Sequence, residues 1–111
     1  MARAKSILVA YDGSQAGRRA LDAASELMVY GSTLAVVGAG TTLSPDPLAD
    51  AAHYLTGRHI VARYIEGDGH PSETVVSAAV DVGADVVVLA ALNRSLETVI
   101  DRAACDVLVV R

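Results

Sequence analysis

Short apolar runs recur along the chain, and each run stops at turn or capping residues. They consist mainly of Val, Leu, Ile and Ala, a mixture typical of strands that are buried on both faces of a sheet. One run alternates only weakly and carries charged residues, which predicts that it lies at an edge of the sheet. The pattern predicts strands at Ile7–Tyr11, Thr33–Gly38, Arg58–Ile65, Asp85–Ala91 and Asp106–Val110, of which the third is this edge strand.

The stretches between these runs have apolar residues three or four positions apart, which is the spacing of amphipathic helices. We expect Asp12 or Ser14 to cap the first helix and Gly31 to end it in the left-handed conformation. We expect Asp46 to cap the second helix and Gly57 to close it. The pattern predicts four helices, at Gln15–Tyr30, Pro47–Gly57, Pro71–Gly83 and Leu96–Ala103.

Strands and helices therefore alternate along all 111 residues, without an internal repeat or a low-complexity segment. This order predicts one α/β domain over residues 1–111, in which a parallel sheet lies between two layers of helices joined by right-handed crossovers. The first and fourth strands are the most uniformly apolar, so we expect them to be central and adjacent. A ligand would then bind at their carboxyl ends, where helix N-termini attract an anion.

Charge and cysteine content narrow the classes of function. The net charge of −4 argues against binding nucleic acid, which requires a basic surface. Cys105 has no partner for an internal disulfide, and we expect a buried, inert thiol in a reducing cytoplasm. His53, His59 and His70 have no metal-ligand spacing, so we predict surface histidines and no metal site. The apolar run after the basic start is too short for a signal peptide or a membrane span.

Enzyme motifs are missing from the sequence. There is no G-x-S-x-G elbow, no Walker loop and no G-x-G-x-x-G after the first strand. No residue pair combines a nucleophile with a base at a recognisable spacing. We therefore expect a protein that is not an enzyme.

Several motifs occur in an order that resembles the universal stress protein family. They are Ile7–Ser14 with the sequence ILVAYDGS, Arg19–Leu21, Glu66–Asp68, Val82–Leu89 and Ala104–Arg111. The resemblance covers most of the chain. It implies a Rossmann-like fold of the adenine nucleotide alpha hydrolase-like type, with a five-stranded sheet in the order 3-2-1-4-5. It also implies a homodimer.

The chain departs from this family at the phosphate loop. ATP-binding members carry the motif G-x2-G-x9-G-S/T after the fourth strand, where glycines let backbone amides approach the phosphates. Here Ala90 and Asn93 stand at the first two glycine positions, Ala103 stands at the third, and the last glycine is Gly83. We therefore predict no bound cofactor, with ATP bound poorly or not at all.

Each candidate binding residue also has a structural interpretation. The resemblance implies that Asp12 contacts the nucleoside and that Val37 lines the adenine pocket; alternatively, Asp12 is a helix cap and Val37 a core residue. The polar turn at Asn93–Ser95 has two interpretations. It binds a small anion through Arg94 and the start of the following helix, or it is an ordinary solvated turn in which Ser95 caps that helix. The candidate binding residues are Tyr11, Asp12, Val37, Ala90, Asn93, Arg94 and Ser95.

The last strand predicts self-association. Between Asp106 and Arg111 it carries no charge, whereas the opposite edge carries Arg58, His59, Arg63 and Glu66. We expect a homodimer through Val107, Leu108, Val109 and Val110, as the resemblance also implies. The combined hypothesis is a non-catalytic, dimeric stress-response regulator that acts through a partner protein or another small ligand. The alternative is a nucleotide-binding member that holds ATP or AMP at a modified phosphate site.

Overall fold

A single parallel sheet organises the molecule. The computed structural model describes residues 4–38, 47–66, 71–90 and 105–110. The strands are β1 (Ala4–Tyr11), β2 (Met28–Gly38), β3 (Arg63–Ile65), β4 (Val86–Leu89) and β5 (Asp106–Val109). Their order in the sheet is β3-β2-β1-β4-β5, and every neighbouring pair is parallel, as predicted. The helices are α1 (Gln15–Leu27), α2 (Pro47–Thr56) and α3 (Pro71–Val82). The predicted helix at Leu96–Ala103 and the predicted cap at Asp46 lie outside the described residues.

Alternate side chains of the central strand β1 enter two separate cores. Ile7 and Val9 pack with α1 and α2 on one face of the sheet, while Leu8 and Ala10 pack with α3 on the other. Ile7, Leu8 and Val9 are fully buried, and each buried side chain of this size contributes about 1.5–3 kcal/mol to folding. β1 and β4 are adjacent, as their uniformly apolar sequences predicted.

Helix α1 begins as the sequence predicts but ends earlier. The Ser14 hydroxyl caps it by accepting a hydrogen bond of 2.9 Å from the backbone N–H of Gly17. The predicted end at Tyr30 is wrong, because Met28 is already extended and pairs with Ala4 in β1. Gly31 does take a left-handed conformation, with φ +88°, but within β2, where the pairing with β1 is irregular. Pairing in the sheet therefore outweighs the helical spacing of these last residues.

The third predicted strand is shorter than the sequence indicated. Pairing with β2 begins at Arg63, while Arg58 and His59 belong to the turn after α2. In that turn the backbone N–H groups of Ile60 and His59 donate to Leu55 and Thr56, which is the Schellman arrangement that closes a helix. The left-handed residue of this motif is His59, with φ +61°, and not the predicted Gly57.

Helix α3 ends with the same motif and a glycine. The Ala84 N–H donates to the Ala79 carbonyl at 2.9 Å, and the Gly83 N–H donates to the Val80 carbonyl at 3.1 Å. Gly83 has φ +62°, as expected for the residue that ends this helix. The two motifs are therefore a matched pair that differs in the residue at the left-handed position.

Candidate functional site

The carboxyl ends of β1 and β4 meet where a ligand was predicted to bind. Val9 pairs with Val88, and continuing this register places Tyr11 beside Ala90. Both side chains belong to the apolar cluster on the face covered by α1 and α2. The structure thus brings Tyr11, Asp12 and Ala90 together, whereas the predicted residues Asn93, Arg94 and Ser95 lie outside the described residues.

Asp12 has a structural role at the start of α1. Its Oδ1 atom accepts a hydrogen bond of 2.9 Å from the backbone N–H of Ser14, which is the residue that caps the helix. The carboxylate is only partly buried, and a second oxygen remains for another donor. Capping therefore accounts for the residue type without excluding a contact to a ligand.

Val37 lies at the end of β2, inside the core below α3. Its side chain is fully buried and packs in a cluster with Leu8, Ala10 and Val75. A buried side chain presents no surface to a ligand, so the core interpretation describes what this side chain does here. Its assignment to an adenine pocket remains a prediction.

Tyr11 forms a polar connection that the sequence analysis missed. The ring is fully buried beneath the first turn of α1, and its hydroxyl donates a hydrogen bond to Asp50 of α2. Asp50 also pairs with Arg18 of α1 at 3.2 Å. A Cβ atom at Gly17 would lie 2.8 Å from the Tyr11 ring and 3.1 Å from Asp12 Oδ1, so a glycine is needed for this approach. One signal was present in the sequence: a tyrosine in a buried strand requires a hydrogen-bond partner.

This connection shifts the pKa values of the Tyr11 hydroxyl and the Asp50 carboxyl in opposite directions. Burial raises the pKa of the Tyr11 hydroxyl, and the hydrogen bond to Asp50 adds to the increase. The same hydrogen bond is the main reason that the pKa of Asp50 lies below its ordinary value, with Arg18 lowering it further. Tyr11 is therefore neutral and Asp50 ionised at neutral pH.

A second cluster extends the connection along the outer side of α1 and α2. The Tyr54 hydroxyl donates to Asp22 Oδ1 at 2.7 Å, and Arg58 pairs with the same carboxylate. The guanidinium groups of Arg18 and Arg58 lie 5.5 and 5.6 Å from the centre of the Tyr54 ring. These contacts fix α2 against α1 and so set the position of Asp50 near the end of β1.

The remaining candidate chemical groups are Cys105 and the three histidines. Cys105 is partly buried, and burial raises its pKa, followed by the negative charges of Asp106 and Asp85. This agrees with an unreactive thiol. His53 and His59 are exposed as predicted, and His70 lies outside the described residues. Within the described part of the chain, no group of acidic, histidine or cysteine side chains could hold a metal ion, and no helix could span a membrane.

β5 is an edge strand with free backbone groups. Among the described strands it pairs only with β4, where the Val110 N–H donates to the Leu89 carbonyl at 2.8 Å. Alternate residues of a strand direct their backbone groups to the same side, so those of Val107 and Val109 point away from β4. Leu108 is 37% exposed. Within the described part of the chain, this edge therefore combines N–H and C=O groups that have no partner strand with apolar surface.

The fold and this sequence can be compared with known proteins. A solved structure of a universal stress protein family member from Burkholderia pseudomallei is 30% identical over 96% of this chain and 95% of its own, with a TM-score of 0.71. The chain belongs to the universal stress protein family. Neither a sequence-family model nor a curated protein sequence matches it.

Two more distant universal stress proteins share the fold. One was solved in complex with cAMP; it is 20% identical, covers 97% of both chains and has a TM-score of 0.77. Another, from Arabidopsis thaliana, was solved with AMP bound; it is 15% identical over 96% of this chain and 90% of its own, with a TM-score of 0.69. At identities this low, the two structures show that this universal stress protein shares their fold, and they do not identify its ligand.

Proposed function

We propose that this universal stress protein is a non-catalytic, dimeric, cytoplasmic stress-response regulator that binds ATP poorly or not at all. The observation that carries the proposal is Ala90, which is 8% exposed and packs in the cluster under α1. It stands where ATP-binding members have the first glycine of their phosphate loop. A residue with a Cβ atom fixed in the core lacks the backbone freedom by which glycine brings its amide close to a phosphate.

The polar groups beside Ala90 support a role without catalysis. The Tyr11 hydroxyl is bonded to Asp50, and one Asp12 oxygen holds the turn before α1. Both groups thus serve the fold, and among the described residues neither is paired with a nucleophile. The free thiol of Cys105 supports the cytoplasmic assignment, because such thiols persist in reducing compartments.

Thermal unfolding in the presence of MgATP tests the proposal. We expect no increase in Tm at millimolar MgATP, whereas a concentration of 100 times Kd would stabilise the protein by about 2.7 kcal/mol. A matched variant restores the family motif through Ala90→Gly, Asn93→Gly, Ala103→Gly and Ala104→Ser. We expect stabilisation by MgATP in this variant alone, and a clear increase in the wild type would contradict the proposal.

A nucleoside monophosphate is the second candidate ligand, because two structural neighbours hold cAMP or AMP. One phosphate requires fewer amide contacts than three, and Asn93, Arg94 and Ser95 are the predicted partners for it. The partly exposed Asp12 would contact the ribose hydroxyls. Calorimetric titration with AMP and cAMP tests this candidate.

Two variants separate ligand binding from helix capping in that titration. Asp12→Ser retains a short acceptor for the turn before α1 but does not reach a ribose. Ser14→Ala removes the cap and leaves the Asp12 carboxylate in place. If Asp12 binds the ribose, Asp12→Ser abolishes the binding of AMP and Ser14→Ala retains it. Equal affinity in the wild type and Asp12→Ser would contradict this role.

The dimer is proposed through β5. Two copies related by a two-fold axis would pair their outward backbone groups at Val107 and Val109 and cover Leu108. Val109→Pro removes an outward N–H without affecting the hydrogen bonds to β4, and Val109→Ala is the matched control that retains the N–H. Native mass spectrometry should give a monomer for Val109→Pro and a dimer for the control. A wild-type protein that is monomeric at high concentration would contradict the proposal.

A further inference from the structure

A groove separates α3 from the edge strand β3, on the face of the sheet opposite to α1 and α2. It consists of two adjoining cavities of about 560 and 400 Å³. Asp81 of α3 lines both cavities, so the two adjoin at this residue. Its main side chains are Val61, Arg63 and Ile65 on the strand side and Glu73, Ser77 and Asp81 on the helix side.

The strand side of the groove has an open backbone edge. Tyr64 packs on the opposite face of the sheet, whereas Arg63 and Ile65 line the groove, so the side chains of β3 alternate between the two faces. Ala62 packs against the core on the opposite face and also lines the groove, and pairing with β2 covers Arg63–Ile65. Among the described strands, β3 pairs only with β2, so the backbone groups on its outer side have no partner strand in the described part of the chain. Such an edge accepts a further strand.

The shape and charge of the groove indicate what it binds. Val61 is 91% exposed, and Glu73 and Asp81 are exposed as well, so the groove is shallow and suits an extended chain better than an enclosed small molecule. Its three carboxylates, at Glu66, Glu73 and Asp81, outnumber the single guanidinium of Arg63. In the described part of the chain, neither Glu73 nor Asp81 has an ion pair. The complementary ligand is therefore cationic.

The spacing of the helix carboxylates matches the repeat of a strand. Glu73 and Asp81 are eight residues apart in α3, which is about 12 Å along a helix. Two strand residues four positions apart point to the same face and are separated by about 13 Å. A strand added outside β3 would direct alternate side chains to the face of the sheet that carries the groove, and long basic side chains there would extend towards the carboxylates of α3.

We propose that this groove binds an extended segment of a partner protein that adds as a sixth strand beside β3 and carries two basic residues in the pattern K-x-x-x-K. This proposal takes one element from the regulatory role proposed above, namely that a partner protein exists. It involves neither the nucleotide cleft nor β5, and its failure would leave the measurements of ATP binding and dimer mass unchanged.

Fluorescence anisotropy with a labelled peptide of sequence TKTVTKT tests the proposal. We expect saturable binding to the wild type that weakens by a factor of roughly 1.5 to 5 with each of Glu73→Gln and Asp81→Asn, the range for exposed charge pairs. Both residues are exposed, so the variants should fold, which circular dichroism verifies. Glu26→Gln is the matched control, because it removes the same charge from an exposed position on α1. Equal weakening in this control would overturn the proposal.

Two further peptides test the mode of binding. A TKTVTKT peptide in which every backbone amide is N-methylated has no N–H group to donate to a strand edge, and we expect at least a tenfold loss of affinity. An acidic TETVTET peptide should bind only to the charge-reversed variant Glu73→Lys/Asp81→Lys. Unchanged binding of the N-methylated peptide would overturn strand addition, and absence of wild-type binding at millimolar peptide would overturn the site itself.

Discussion

Removing the Tyr11 hydroxyl should measurably destabilise the fold. Tyr11→Phe keeps the fully buried ring and deletes the hydrogen bond to the ionised Asp50. A hydrogen bond to a charged group contributes about 1.5–3 kcal/mol. The Asp50 side chain is 27% exposed and keeps its pair with Arg18, so water compensates in part. We therefore expect a loss of about 1.5 kcal/mol, or about 6 °C in Tm for a domain of this size.

Urea unfolding followed by circular dichroism measures this loss, and a double-mutant cycle assigns it. Asp50→Ala removes the acceptor, so Tyr11→Phe should cost clearly less in that background than in the wild type. Arg18→Ala is the control, because it removes the other partner of Asp50 and leaves the tyrosine bond intact. A Tyr11→Phe variant as stable as the wild type, or a cycle without coupling, would refute the proposed role of this hydrogen bond.

Three other substitutions or conditions follow from the same contacts. Replacing glycine by alanine usually stabilises a helix, but Gly17→Ala should destabilise this protein by about 1–2 kcal/mol, because the added Cβ would overlap Tyr11 and Asp12. Thermal unfolding should show a lower Tm, and a higher Tm would contradict the prediction. His59→Gly should stabilise by about 0.5–1 kcal/mol in urea unfolding, because His59 has a positive φ, and an unchanged midpoint would argue against strain there. Because the pKa of Asp50 is lowered in the folded protein, this carboxylate contributes its full stabilisation at pH values above its unfolded pKa of about 4 and loses it as the pH falls further. Acid unfolding of Tyr11→Phe should therefore show a smaller loss of stability with falling pH than the wild type.

The sheet was predictable from the sequence because its strands are specified locally. Each apolar run is bounded by turn residues, and the complete burial of β4 follows from four successive apolar residues. The end of α1 was not predictable in this way. Met28 has the spacing of a helical residue, but its pairing with Ala4 of β1 depends on a contact across 24 residues of sequence. Tertiary pairing outweighed local propensity there.

The candidate site was predictable in position but not in its contacts. The ends of β1 and β4 locate Asp12 and Ala90, because parallel strands present their carboxyl ends together. The link from Tyr11 to Asp50 joins residues 39 positions apart and depends on how α2 packs against α1. A lone aspartate on an amphipathic helix carries no sequence signal for such a partner.

The strand order has a geometric consequence for assembly. β3 and β5 are at opposite edges of the sheet, so a dimer formed through β5 would extend the sheet to ten strands with a β3 edge at each end. Nine strand spacings of about 4.8 Å separate these ends by roughly 43 Å. The two copies of the α3–β3 groove would then be a bivalent pair at a fixed distance. A partner with two basic segments would gain avidity from the dimer only where its linker spans that distance.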